Sequence, residues 1–261
     1  MTGEPAPGPG TRAIGVITRQ GRRAEMQDRY VVAREPEGLF VGVYDGHGGS
    51  VTVELTAQHL HLRFFAALRE GVDAVAAFSR AFAEVDRLTQ EQTCGTGATA
   101  FFLAGRRLVA ANLGDGRLVL LRGDGVEAVT RDHRVDDPDE RARVLAAGAG
   151  IDYPYVVRGD AGLMLTRSFG DRWFRPVGVI ASPEVFTRTL EPADRWLVAA
   201  CDGLWDELDN AAVATIVRGA AGAQRAAEAL GDAVASLGDR DNLTVIVVDS
   251  GAWADPAHPP G

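Results

Sequence analysis

Apolar residues recur along this chain in two rhythms. Short β-branched and apolar runs bounded by turn residues predict strands at 30–33, 39–44, 98–103, 108–113, 118–122, 196–201 and 243–248. Spacings of three and four predict a helix carrying Leu60, Phe64, Ala67 and Leu68, and a second carrying Val75, Phe78, Phe82, Val85 and Leu88. Two more helices are expected at about 210–218 and in the Ala-rich stretch 223–237. Strands fall in hairpin-like neighbours and helices in blocks, which predicts an α+β layered domain and not a parallel βαβ sheet. The Pro- and Gly-rich stretch 1–11 offers almost nothing to bury and reads as a disordered tail, as does 251–261, leaving 12–250 as one domain without linker or repeat.

Composition narrows the function classes. Of 261 residues, 46% are hydrophobic and 24% charged, the signature of a globular protein. The net charge of -9 argues against nucleic acid as a partner and leaves room for bound cations. No apolar run approaches the ~20 residues that span a bilayer, and the opening MTGEPAPGPG is too polar for a secretory signal, so a cytoplasmic location away from membranes is expected. Cys94 and Cys201 alone make neither a disulfide framework nor a Cys-rich zinc site. All 27 basic residues are arginine, which reads as the codon bias of a GC-rich bacterial genome.

Candidate chemistry lies in aspartates at strand ends. LFVGVYDGHGG ends a strand in Asp45-Gly46, LVAANLGDGR in Asp115-Gly116, and RWLVAACDGLWD in Asp202-Gly203 with Asp206 close behind, while Asp241 precedes LTVIVV. Asp-Gly is also a favoured hairpin turn, and Asp124-Gly125 is read as that alone. Carboxylates gathered at one end of a sheet repel one another and need neutralising. Hard divalent ions do so with oxygen ligands, whereas zinc would want His or Cys pairs that the chain lacks. Metal-assisted phosphoester hydrolysis is the mechanism this suggests.

The ordered motifs RRAEMQDRY, VYDGHGG, GATA, NLGDGR, DH, LTRSFGD, CDGLWDELDN and DNLTVIVV resemble those of the type-2C metal-dependent serine/threonine protein phosphatases, the PPM family, over about residues 12–250. The resemblance implies a four-layer α-β-β-α sandwich, two antiparallel sheets flanked by helix pairs, with the metal centre at one end. It implies two Mg²⁺ or Mn²⁺ ions held by Asp45, the Gly46 carbonyl, Asp202 and Asp241, with Asp28 behind them. Asp115 and Asp206 match an optional third ion site. Arg23 matches the arginine that grips the substrate phosphate, a bidentate task suited to guanidinium, and His47 the general acid. His133 either shapes the cleft or satisfies a loop; His59, His61 and His258 read as structural, Trp205 as packing and Arg22 as solvated. Arg167 and Asp171 are expected to pair or to anchor a strand-to-loop junction. Gln27, Gly116 and Ala149 depart from the usual Glu, Ser and Gly, which touches a water-mediated metal contact, substrate or third-ion contacts, and the flap.

The expected function is a protein phosphatase acting in signalling as a monomer on proteins phosphorylated at serine or threonine. The alternatives are a noncatalytic scaffold of the same fold, which should have lost a metal aspartate or Arg23, and a hydrolase of small phosphoesters.

Overall fold

The computed structural model describes residues 13–252, so most of both predicted tails, and His258, lie outside the described residues. Residues Ser250–Ala252 close the described chain as a 3-10 turn. Two five-stranded antiparallel sheets face each other. One runs in the order Glu184–Thr189, Arg107–Leu113, Ala98–Ala104, Gly38–Tyr44, Arg29–Glu35, and the other in the order Ile14–Arg19, Leu243–Asp249, Asp194–Ala200, Arg117–Arg122, Gly125–Ala128. Their inner faces share a core of Leu39, Val41, Phe101, Leu103, Leu118, Leu120, Leu197 and Ile246. Because successive strand residues point to opposite faces, the alternate set faces outward and is covered by helices. Phe40, Phe102 and Val109 meet the pair Val51–Arg69 and Ala74–Thr89, while Val119, Val198 and Val247 meet Asn210–Gly219 and Ala223–Leu237. The predicted four-layer sandwich is therefore formed, and strands covered on both faces explain why they read as continuous apolar runs.

Local chemistry sets the helix ends. Asp73 accepts hydrogen bonds from the backbone N–H groups of Val75 and Ala76, and Asp209 from that of Ala212, so each caps a helix start. Phe64 and Phe78, one from each helix of the first pair, stack with ring centroids 4.3 Å apart and lock the pair together. The expected stripe of the second helix shifts at its end: Leu88 is 42% exposed, and Thr89 is buried instead with its hydroxyl donating to the Val85 carbonyl. A short apolar stripe cannot resolve that last turn, because a hydroxyl returned to its own backbone buries as readily as a leucine.

Three edge strands of the large sheets, Ile14–Arg19, Gly125–Ala128 and Glu184–Thr189, fall outside the predicted runs, and so do three smaller features between the strands. The helix Pro138–Ala146 follows the cap Asp137. A small sheet of Gly150–Asp152, Tyr155–Arg158 and Ala161–Leu163 packs Val156 and Leu163 onto Val144. A third sheet joins the two-residue strands Gly46–His47, Gly95–Thr96 and Phe169–Gly170. This last one matters most, because it fixes the residues immediately after Asp45.

Candidate metal and phosphate site

Strands of both large sheets end at the same edge of the sandwich, and their aspartates converge there. One side-chain oxygen from each of Asp45, Asp115 and Asp202 lies within 4.8 Å of the others. Asp45 is held by its carbonyl, which accepts from the Gly97 N–H at 2.9 Å and the Thr96 hydroxyl at 2.8 Å. Gly46 follows under Gln27, and a Cβ there would stand 2.6 Å from the Gln27 carbonyl oxygen, so this position admits only glycine. A cleft of about 730 Å³ opens over the cluster, lined by Arg23, Gln27, His47 and Asp241 and roofed by Tyr155 and Leu163 of the small sheet.

The electrostatics show what the cluster lacks. Desolvation first, then the charges of Asp202, Asp28 and Asp115, push the Asp45 carboxyl well above the usual carboxylate range. Desolvation and Asp115 push Asp202 up to about 8. Asp28 is 2% exposed and shares a second close group with Asp45 and the Cys201 thiol. No donor meets either of its carboxylate oxygens in hydrogen-bonding geometry among the described residues, and desolvation raises its pKa to about 6. The Cys201 thiol, desolvated and beside Asp28, is driven upward and stays protonated. Acids so arranged bind either protons or cations, and hard oxygen donors with orphaned buried oxygens beside them fit a divalent cation.

The outer predicted ligands sit differently. Asp241 pairs with Arg23, Nη2 to Oδ2 at 2.5 Å, so the residue expected to grip phosphate and an expected ligand hold each other. Asp206 joins Asp115 and Asp202 through Arg134, which is not among the residues the motifs single out. Its sole signal was an arginine directly after the DH motif. His47 lies in the cleft wall with Nε2 2.8 Å from Asp171 Oδ2, and the Ser168 hydroxyl donates to the same oxygen at 2.5 Å. Desolvation opposes its charge, but Asp171, Asp115 and Asp202 outweigh it and raise the His47 pKa.

The expected Arg167–Asp171 pair is not formed. Arg167 instead clasps buried Glu140 at 2.6 Å, together with Arg143 and the Thr166 hydroxyl, and anchors the base of the small sheet. His133 is fully buried in a loop, accepting from the Gly114 N–H at Nδ1. Trp205 is packed, with Nε1 donating to the Ala200 carbonyl. His59 and His61 lie on the helix Val51–Arg69, and Arg22 is exposed. At Gly116 a Cβ would stand 2.5 Å from the Thr99 hydroxyl, so here the Thr99–Asn112 hydrogen bond fills the space a serine would take. Ala149 is buried under the small sheet against Val144 and Val156.

A sequence profile described as protein phosphatase 2C matches residues 12–243. The chain is 32% identical over 268 residues to a probable protein phosphatase 2C 59 of Oryza sativa subsp. japonica, covering 95% of this chain and 81% of that protein. A probable protein phosphatase 2C 59 of Arabidopsis thaliana is also 32% identical, over 92% of this chain and 80% of its own length. These relatives are plant proteins and lend no support to a bacterial origin. The fold is similar to that of a serine-threonine phosphatase 2C from Toxoplasma gondii, with a TM-score of 0.79 at 22% identity over 90% of this chain and 94% of that one.

Proposed function

The chain belongs to the protein phosphatase 2C family, and on that premise we propose how its cleft performs as a metal-dependent serine/threonine protein phosphatase. The observation that carries the reading is the convergence of Asp45, Asp115 and Asp202 on one point beside the orphaned Asp28 carboxylate. Asp45, the Gly46 carbonyl, Asp202 and Asp241 would hold two Mg²⁺ or Mn²⁺ ions, with Asp28 behind them. Such ions, when bound, supply an acidified water and neutralise charge that develops on the phosphoryl oxygens.

The chain's own groups do the rest. Arg23 is 61% exposed at its side chain and has one carboxylate partner, so it is free to turn its fork toward phosphate oxygens. His47 commits Nε2 to Asp171, which leaves Nδ1 to deliver a proton to the departing serine or threonine oxygen. Tyr155 and Leu163 line the cleft and would give the peptide flanking the phosphoresidue a surface to lie on.

Phosphorylated proteins are the substrates in this reading, and the enzyme acts in signalling as a cytoplasmic monomer. The charge of -9 disfavours nucleic acid, and no helix among the described residues is long and apolar enough to cross a membrane. A scaffold role is disfavoured because Asp45, Asp202, Asp241 and Arg23 are all present. Hydrolysis of para-nitrophenyl phosphate with Mn²⁺, with and without chelator, and with Asp202→Asn as control, tests the reading. Turnover that persists in chelator would sink it. Comparing a phosphothreonine peptide with free phosphometabolites separates a protein phosphatase from a small-phosphoester hydrolase.

A further inference from the structure

We infer that the Arg134 guanidinium is this chain's built-in cation for the Asp115–Asp202–Asp206 corner of the cleft, so that the site takes two divalent ions and has no place for a third. The inference rests on the metal-site reading above. Three carboxylates meet one side chain: Nε reaches Asp115 Oδ2 at 2.6 Å, Nη1 reaches Asp206 Oδ1 at 2.8 Å, and Nη2 reaches Asp206 Oδ2 at 3.1 Å and Asp202 Oδ2 at 3.3 Å. The planar fork thus fills the space that an ion shared by those three acids would need.

Burial makes the arrangement hard to displace. The Arg134 side chain is 17% exposed and that of Asp115 only 3%. Its backbone is tied at both ends of the loop, pairing with Leu165 as an isolated bridge and accepting from the Asp137 N–H at 3.1 Å. A guanidinium cannot shed its proton to make way, and although burial opposes its charge, Asp115 and Asp206 outweigh that and hold it more firmly charged than a free one. A dication could enter only by expelling Arg134 and leaving Asp115 to the ion alone. Arg23 on Asp241 is the contrast, since one contact and 61% exposure let it go. Arg134 also places positive charge beside Asp202, so it should weaken the ion that Asp202 holds.

Mn²⁺ uptake measured by equilibrium dialysis and calorimetry tests this without reference to turnover. The wild-type chain and Arg134→Lys should each bind two ions. Arg134→Gln should bind a third and hold the first two roughly tenfold more tightly. Three ions in the wild type, or two in a folded Arg134→Gln, would overturn the inference. Should Arg134→Gln fail to fold, Asp206→Asn decides: the count should stay at two, and loss of an ion would overturn the inference. A wild-type chain that takes up no Mn²⁺ overturns the metal-site reading itself, a result distinct from a count of three.

Discussion

His47 Nε2 and Asp171 Oδ2 lie 2.8 Å apart although 124 positions separate them in the chain. The contact exists because Gly95 passes between their strands: a Cβ there would stand 2.1 Å from Asp171 Oδ2 and 2.4 Å from His47 Nε2. Asp171 also sits at a φ of +48°, a left-handed conformation that aspartate tolerates better than most residues. The pair fixes the plane of the imidazole and so the direction of its free nitrogen.

A positioned acid matters in proportion to the basicity of the leaving group. Threonine alkoxide needs a proton as it departs, whereas para-nitrophenolate does not. His47→Ala should therefore lose roughly 10² in kcat on a phosphothreonine peptide and much less on para-nitrophenyl phosphate. Asp171→Asn should show the same asymmetry at about tenfold, as a positioning residue acting through His47. Equal losses on the two substrates would assign both residues to shaping the cleft.

Arg23 makes a half-exposed ion pair of the kind that contributes about 0–1 kcal/mol to stability. Arg23→Ala should thus leave the melting temperature nearly unchanged while raising KM several-fold, with a smaller fall in kcat. A substantial loss of stability with an unaltered KM would place the phosphate grip elsewhere.

Divalent ions should stabilise the fold as well as activate it, since Asp45, Asp202 and Asp28 are held together against repulsion and desolvation. Binding to the native state alone gives about 2.7 kcal/mol per site at a hundred times Kd. For a chain of this size, that corresponds to roughly 5–10 °C in melting temperature. A scan with and without Mn²⁺ checks it, and an unchanged midpoint would argue against the cluster.

How far the sequence could be read follows from the range of the interactions involved. Strands buried on both faces and amphipathic helices write their periods locally, so seven of the ten strands of the large sheets and both helix pairs are legible in the sequence, whereas Ile14–Arg19, Gly125–Ala128 and Glu184–Thr189 are edge strands that stay largely half-buried or exposed and leave no such run. Asp45, Asp115 and Asp202, which the fold brings together, are legible too, because each lies at the end of an apolar strand run. Arg134, the His47–Asp171 pair and the Glu140 hub were not, since each is a meeting of segments whose spacing carries no periodic signal. Arg167 shows the cost of guessing such contacts by proximity: it turned to Glu140, 27 residues away, and not to Asp171, its neighbour four positions on. The small sheet over the cleft escaped for a related reason, as strands of three or four residues leave too short a pattern.

His133 supplies a pH prediction outside the metal cluster. It is fully buried, its Nδ1 accepts from the Gly114 N–H at 3.2 Å, and its Nε2 lies 3.3 Å from Glu184 Oε2. The ring is therefore neutral, with its proton on Nε2. Desolvation, and then the positive charge of Arg167, lower its pKa to about 4 against the opposing pull of Glu140 and Glu184. The unfolded chain takes up this proton near pH 6.5, while the folded one resists it until about pH 4. Protons then favour the unfolded state between those values. The stability His133 contributes is complete above pH 6.5 and is lost as the pH falls toward 4, by about 3 kcal/mol in all. His133→Asn can still offer Gly114 an acceptor but has nothing to titrate. Between pH 7 and pH 5, urea unfolding of the wild type should lose about 2 kcal/mol more than that of the variant. The raised carboxylates of the cleft pull the other way, but equally in both proteins, so the difference isolates His133. Parallel losses in the two would mean that His133 is already protonated in the folded chain and that its contact with Gly114 does not hold.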